Sequence, residues 1–366
     1  PDMNDETTTD GTARPPIADL PELLTPEWVT AALRHAGHDV RITGLTRTQV
    51  GTGQMGTSIR MELTFDGDPA GLPPTLVAKL PAPDLQQRSM VAGIYRTEVE
   101  FYRQLATTVS VRTPHCYYAD LAPQWTEFVL LLEDLAPKEQ GDQIRGCTVE
   151  EARVGVINLA GLHGPRWGDP SLTDHDWMQL IAGDGATMIG LVMRDATDRF
   201  VERYAQRLSD EDKELLDRIP EVLPRWILSR PERVAPIHGD YRLDNLLFGS
   251  GDDPVATVDW QTITLGLPAR DLAYFLSTGL RTVDRRSHED ELVERYHSAL
   301  VDHGVTGHSL EECRDDYRFA MLQGPLITIV GAAYGAPTER GDEMFLAMAT
   351  RSAQAIRDHR TLEMLT

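Results

Sequence analysis

Apolar residues recur at every second position through the front part of this chain and at helical spacing through most of the rest, with the change falling near residues 133 to 137. A chain divided in this way folds as a sheet-rich lobe followed by a helix-rich one, not as alternating β-α units. Ser58 to Phe65 alternates cleanly, with Ile59, Met61, Leu63 and Phe65 on one face and Ser58, Arg60, Glu62 and Thr64 on the other. Ile42 to Val50 is strand-like, Thr75 to Leu80 forms a short strand, Arg88 to Thr107 has helical periodicity, and Phe128 to Leu132 is a fully apolar strand. Beyond it, Val149 to His163, Asp210 to Ser229, Asp284 to His303, Leu310 to Tyr334 and Asp342 to the end read as helices. One short strand pair around residues 246 to 258 is the exception. The expected organisation is a disordered tail over 1–22, a sheet-bearing lobe over 23–135 and a helical lobe over 136–366, with a cleft between the lobes.

Charge excludes some partners. With 35 Lys and Arg against 57 Asp and Glu the formal net charge is −22, which disfavours nucleic acid and anionic membrane surfaces. The acidity is spread evenly along the chain, so it marks solubility and no site. Cys116, Cys147 and Cys313 are odd in number and lack metal-ligand spacing, which fits free thiols in a reducing, cytoplasmic setting. No apolar run approaches the roughly 18 residues of a spanning helix, so no membrane partner is expected.

Three segments carry chemistry. Gly51 to Gly56 reads GTGQMG, with glycines at 51, 53 and 56, and it joins two strand-like stretches instead of opening a helix. That context suits a loop whose backbone N–H groups lie over nucleotide phosphates, and it also suits an ordinary hairpin turn. Lys79 stands in an apolar strand where an unpaired ammonium is costly, and Glu98 falls in the middle of the apolar stripe of the following helix. Those placements imply an ion pair; the alternative is a lysine at a sheet edge whose ammonium reaches water. His238 to Asn245, HGDYRLDN, fits His-x-Asp-x4-Asn in a chain holding only three asparagines, so chance is a poor explanation. If Leu246–Phe248 and Val255–Val258 pair as a hairpin, Asn245 and Asp259 come side by side. An amide oxygen and a carboxylate at that point form a sparse hard-oxygen site of the kind Mg²⁺ uses when phosphate completes its shell. Asp240 then sits on the adjoining loop as a proton acceptor.

HGDYRLDNLLF followed by VDWQTITLGLPARDLAYFL resembles the aminoglycoside phosphotransferase family of the protein-kinase-like superfamily. Within it the chain is most similar to actinobacterial phosphotransferases and to kinase domains fused to some acyl-CoA dehydrogenases. The likeness spans roughly residues 40 to 280. It implies an α+β, two-lobed protein-kinase-like fold, with an antiparallel sheet and one helix in the first lobe and a mostly helical second lobe. It further implies transfer of the γ-phosphoryl group of ATP or GTP to a hydroxyl of a small molecule. Asp240 would be the catalytic-loop aspartate, Asn245 and Asp259 the Mg²⁺ ligands, Lys79 the contact to the α/β-phosphates and Glu98 its partner. Glu133 to Leu135 would be the hinge whose backbone meets the purine.

Departures from the family refine that picture. Leu267 stands where the family often has an aspartate, and Trp260 and Gln261 follow Asp259 where protein kinases have Phe-Gly. No long activation segment is present, which favours a small-molecule kinase. Asp271 reads as a helix cap or a brace for the catalytic loop, and Arg242 as a phosphate contact or an ion pair with a carboxylate such as Asp244. His163 reads as a packing residue and the TDHDW stretch (173–177) as a solvated loop. The acceptor has no readable motif; hydroxyacyl-CoA and hydroxy-acid substrates compete with other alcohols, and a non-catalytic nucleotide-binding module is the alternative of another class.

Overall fold

The alternation of Ile59, Met61 and Leu63, all buried, places β2 (Gly56–Phe65) with one face in a core and its other face toward polar surroundings. The computed structural model describes residues 13–51 and 55–365. They divide into two compact units, one holding the residues up to Arg103 together with Pro114–Leu135, the other holding Gln104–Thr113 and everything from Ala136 onward.

The first unit begins with α1 (Pro26–His35), capped by Thr25. β1 (Ile42–Val50), β2, β3 (Thr75–Pro81), β4 (Cys116–Leu121) and β5 (Phe128–Glu133) form one antiparallel sheet in the order β1-β2-β3-β5-β4. Strand β4 is absent from the sequence reading because its buried positions, Tyr118 and Asp120, give too short an apolar signal. β3 and β5 pair so that Lys79 stands opposite Leu130. Helix α2 (Leu85–Glu100) buries Arg88, Tyr95, Glu98 and Val99. Its buried line therefore runs through Tyr95 and Val99 instead of Val91 and Ile94, while still including Glu98.

Residues 13–22 correct the expected tail. Arg14 binds Asp120 through Nε at 2.7 Å, and Trp28 Nε1 donates to the Pro16 carbonyl at 2.6 Å. Ala18 is buried, and Asp19 pairs with the buried Arg88 at 2.5 Å. Composition concealed this because ion pairs and a few scattered apolar residues (Pro15, Ile17 and Ala18), not a long apolar run, hold the segment. Residues 1–12 lie outside the described residues.

The second unit contains β6 (Glu139–Gln140), α3 (Val149–His163), α4 (Gly183–Arg203), α5 (Asp210–Leu228) and β7 (Ala235–Ile237). The chain continues through β8 (Leu246–Phe248), β9 (Val255–Thr257), β10 (Thr264–Gly266) and α6 (Ala269–Gly279). It ends with α7 (Thr282–Asp302), α8 (Leu310–Phe319), α9 (Gln323–Tyr334) and α10 (Glu339–His359). The helical stretch over 310–334 is interrupted by a 3-10 turn at Ala320–Leu322. α4 escaped the sequence reading because Met188 and Leu191 lie on its exposed face and blur the 3.6 period.

Every residue of α6 is buried. Its approach to α3 depends on Gly155, where an added Cβ would lie 2.7 Å from Phe275 Cζ. Gly155→Val should therefore overpack this contact and lower stability by about 1–3 kcal/mol, measured by urea unfolding, while Gly183→Ala, which has open space around it, should not.

Candidate active site

In the first unit Lys79 Nζ donates to Glu98 Oε1 at 2.7 Å, with side-chain exposures of 15% and 1%. A carboxylate that dry is tolerated because it is paired. Tyr95, one helical turn before Glu98, accepts from the Ala82 N–H at 3.1 Å and donates to the Met55 carbonyl at 2.7 Å. One hydroxyl thus joins α2, the end of β3 and the stretch leading into β2. Burial keeps the phenol protonated by raising its pKa, against the opposite pull of the Ala82 N–H and the Arg88 and Lys79 charges.

The β1–β2 pairing, with Val50 opposite Ser58, places the glycine segment between two antiparallel strands. Gly51 has φ +73°, and a Cβ on Gly56 would lie 2.8 Å from the Leu80 carbonyl oxygen, so both positions require glycine. Gly53 lies outside the described residues. At the end of β5 the Glu133 N–H donates to the His115 carbonyl at 2.8 Å, and the Glu133 side chain accepts from the His115 N–H at 3.0 Å. Leu135 is buried.

In the second unit β8 and β9 form the hairpin, with Leu246 opposite Thr257, and the Val258 N–H donates to the Asn245 carbonyl at 3.0 Å. Asn245 and Asp259 thereby flank its open end. Asp259 adopts φ 66°, ψ 72°, a left-handed conformation that aspartate tolerates better than most residues. Asn245 Nδ2 donates to the Asp240 carbonyl at 2.9 Å and to Asp240 Oδ2 at 3.0 Å. With both amide hydrogens used on Asp240, the Asn245 side-chain oxygen is the atom left to act as a metal ligand. Among the described residues no group of three or more His, Cys, Asp or Glu is placed to hold a metal. The Asn245–Asp259 pair fits Mg²⁺ only as a partial set completed by phosphate oxygens and water.

The loop before this hairpin is held by its backbone. Asp271 accepts from the N–H groups of His238 at 2.6 Å and Gly239 at 2.9 Å. Thr262 Oγ1 donates to the His238 carbonyl at 2.8 Å, and Gln323 Nε2 donates to the Gly239 carbonyl at 3.0 Å. Gly239 has φ +81°, and a Cβ there would meet the Thr262 carbonyl oxygen at 2.7 Å. His238 Nδ1 accepts the Asp240 N–H at 3.3 Å while Nε2 faces the Val258 carbonyl at 3.1 Å. With Nδ1 accepting, the ring hydrogen is on Nε2, facing the Val258 carbonyl.

Asp240 Oδ1 accepts from Tyr274 at 2.8 Å and Oδ2 from Arg242 Nε at 3.1 Å. Arg242 also reaches Asp244 at 3.2 Å, and Arg340 binds both Asp244 oxygens at 3.1 Å. Burial disfavours the Arg242 charge, but the Asp240 and Asp244 carboxylates more than offset it and raise the guanidinium pKa. His163 lies buried between Tyr296 (2.7 Å) and Asp271 (3.3 Å), a packing arrangement. His175 of the TDHDW stretch bonds Gln104 at 2.9 Å, and Leu267 is buried.

Tyr274, Gln323 and Tyr95 were missed by sequence reasoning. Tyr274 follows Asp271 by three residues and so shares its helix face, a signal that was available. Gln323 is 84 positions from Gly239 and gives none.

Comparison with known proteins places this geometry. Residues 67–307 match the phosphotransferase enzyme family. A solved choline kinase from Cryptosporidium parvum Iowa II has a TM-score of 0.55 at 11% identity, covering 87% of this chain and 90% of that one. The GDP complex of aminoglycoside 2'-phosphotransferase-IIIa has a TM-score of 0.51 at 16% identity, covering 90% and 99%. These likenesses show a shared kinase-like fold. A mouse protein, acyl-CoA dehydrogenase family member 10, is 45% identical over 58 residues, which is 15% of this chain and only 5% of that protein.

Asp271→Asn should keep an acceptor for one of the two backbone N–H groups, set its amide donor against the other and cost about 1.5–3 kcal/mol. Urea unfolding measures the loss, and hydrogen exchange should show faster exchange at the amides of His238 and Gly239.

Proposed function

The chain belongs to the phosphotransferase enzyme family and is a small-molecule kinase, and on that premise we propose that it transfers the γ-phosphoryl group of ATP or GTP to a hydroxyl of a small metabolite. The observation carrying this reading is the bonded set at the end of the β8–β9 hairpin, where Asn245 spends both amide hydrogens on Asp240 and stands beside Asp259. Asn245 Oδ1 and the Asp259 carboxylate would hold Mg²⁺. When bound, the ion neutralises charge on the phosphate oxygens.

Phosphoryl transfer asks mainly for positioning and charge neutralisation. Lys79, held by Glu98, contacts the α/β-phosphates, and the loop bearing Gly51, Gly53 and Gly56 covers them. Because the Glu133 N–H is committed to His115, the purine contact falls to other backbone groups such as the Leu135 N–H. Asp240 orients the acceptor hydroxyl and takes its proton. The GDP bound by the structurally similar aminoglycoside 2'-phosphotransferase supports a nucleotide donor. The free thiols of Cys116, Cys147 and Cys313 suit a reducing, cytoplasmic setting; burial pushes Cys116 up to about 12.

A hydroxyacyl-CoA or hydroxy-acid acceptor is the second reading, favoured by the local similarity to the acyl-CoA dehydrogenase relative. Separate pools of aminoglycosides, amino alcohols, sterols and hydroxyacyl-CoAs, assayed with nucleotide and Mg²⁺, identify the class. In the same assay Asp240→Asn should retain nucleotide affinity by calorimetry while transfer falls by about 10²- to 10⁴-fold. Equal transfer by both proteins would remove Asp240 as the base. Nucleotide binding without turnover of any pool by the wild type would make this a nucleotide-binding module.

A further inference from the structure

Asp271 and Tyr274 lie three residues apart on α6 and so face the same way. The first holds the backbone of His238 and Gly239, and the second donates its hydroxyl to Asp240 Oδ1 at 2.8 Å. Tyr274 is fully buried and packs with Met344 and Met348. Burial, and after it the Asp240 charge, pushes its phenol well above the usual range, so the hydroxyl remains a donor. On the other side of the carboxylate, Oδ2 accepts from Arg242 Nε at 3.1 Å and Asn245 Nδ2 at 3.0 Å.

A carboxylate oxygen has two lone-pair directions in its plane. Both are filled on Oδ2, whereas Oδ1 has one filled by Tyr274. We propose that Tyr274 is a positioning residue that clamps the Asp240 carboxylate so that the remaining lone pair of Oδ1 takes the acceptor's proton. This rests on Asp240 being the base, as argued above. As the bond between acceptor oxygen and γ-phosphorus forms, the bond from γ-phosphorus to the β,γ-bridging oxygen breaks. The nucleoside diphosphate leaves with that electron pair, and the hydroxyl proton goes to Oδ1. Tyr274 keeps its own proton throughout. Without its hydroxyl the carboxylate is gripped only through Oδ2, and rotation about Cβ–Cγ is restrained from one side.

Tyr274→Phe keeps the ring and removes one oxygen. With the acceptor found in the pool assay, kcat should fall by about tenfold to a hundredfold, while KM for nucleotide and acceptor stays within about twofold. A crystal structure of Tyr274→Phe should show the Asp240 carboxylate turned from its wild-type orientation. An unchanged kcat, or an Asp240 that keeps its place, overturns the assignment. So does a rise in both KM values together with a loss of folded protein by near-ultraviolet circular dichroism, which marks a general packing role. Asp240→Asn, run in parallel, separates the two ideas. If it transfers phosphate like wild type, the base reading fails and takes this inference with it; if it is inactive while Tyr274→Phe turns over normally, only the Tyr274 assignment fails.

Discussion

A carboxylate fully withdrawn from water holds the chemically important loop of this protein in shape. Burying the Asp271 charge is costly unless donors surround it, and they do: consecutive N–H groups from His238 and Gly239 and the ring of His163. Because the bonds are to a charged acceptor they are stronger than ordinary backbone bonds. Because Asp271 sits on a helix with no exposed residue, the path of residues 238 to 245 is set by the core of the second unit. The positive φ at Gly239 and the bond from Gln323 complete the backbone pairing there, leaving the Asp240 side chain as the group presented by the loop.

The first unit solves a related problem with an ion pair. Lys79 alternates out of the face of β3 that buries Leu76, Ala78 and Leu80, and on the opposite face it meets Glu98 of α2. α2 is itself pinned near its start, where Arg88 binds both the Ala82 carbonyl at 2.5 Å and Asp19. Tyr95 adds a bond to the Met55 carbonyl. The register of α2 on the sheet, and therefore the position of Glu98, follows from polar contacts as much as from apolar packing. That is why an apolar-stripe argument located Glu98 but misplaced the rest of the buried line.

Much of the site was legible because its chemistry is local in sequence. The HGDYRLDN and VDW segments are each short, and the hairpin joining them follows from two apolar triplets separated by a turn, so the adjacency of Asn245 and Asp259 needed no long-range information. The surroundings were less legible. Gln323 and Arg340 reach the loop, and Tyr296 reaches the His163 that backs its brace, from helices far along the chain, and nothing in their local sequence distinguishes them from other helical polar residues. Arg242, read as either a phosphate contact or an ion-pair partner, bridges Asp240 and Asp244.

By itself the sequence determined that this chain has a strand-periodic front and a helix-periodic back. It also made Glu98 the one candidate partner for Lys79, and it placed an aspartate, an asparagine and a second aspartate where one hairpin, if formed, would gather them. Each of these follows from spacing, which is a property of the chain before it folds. Only the tertiary structure decided which atoms of Asp240 are occupied, that residues 13–22 are tied down, and that the imidazole of His238 carries its hydrogen on Nε2. Those features depend on donors and acceptors lying from two to 106 positions apart, and hydrogen-bond partners are fixed by direction and distance in space, which residue spacing does not encode.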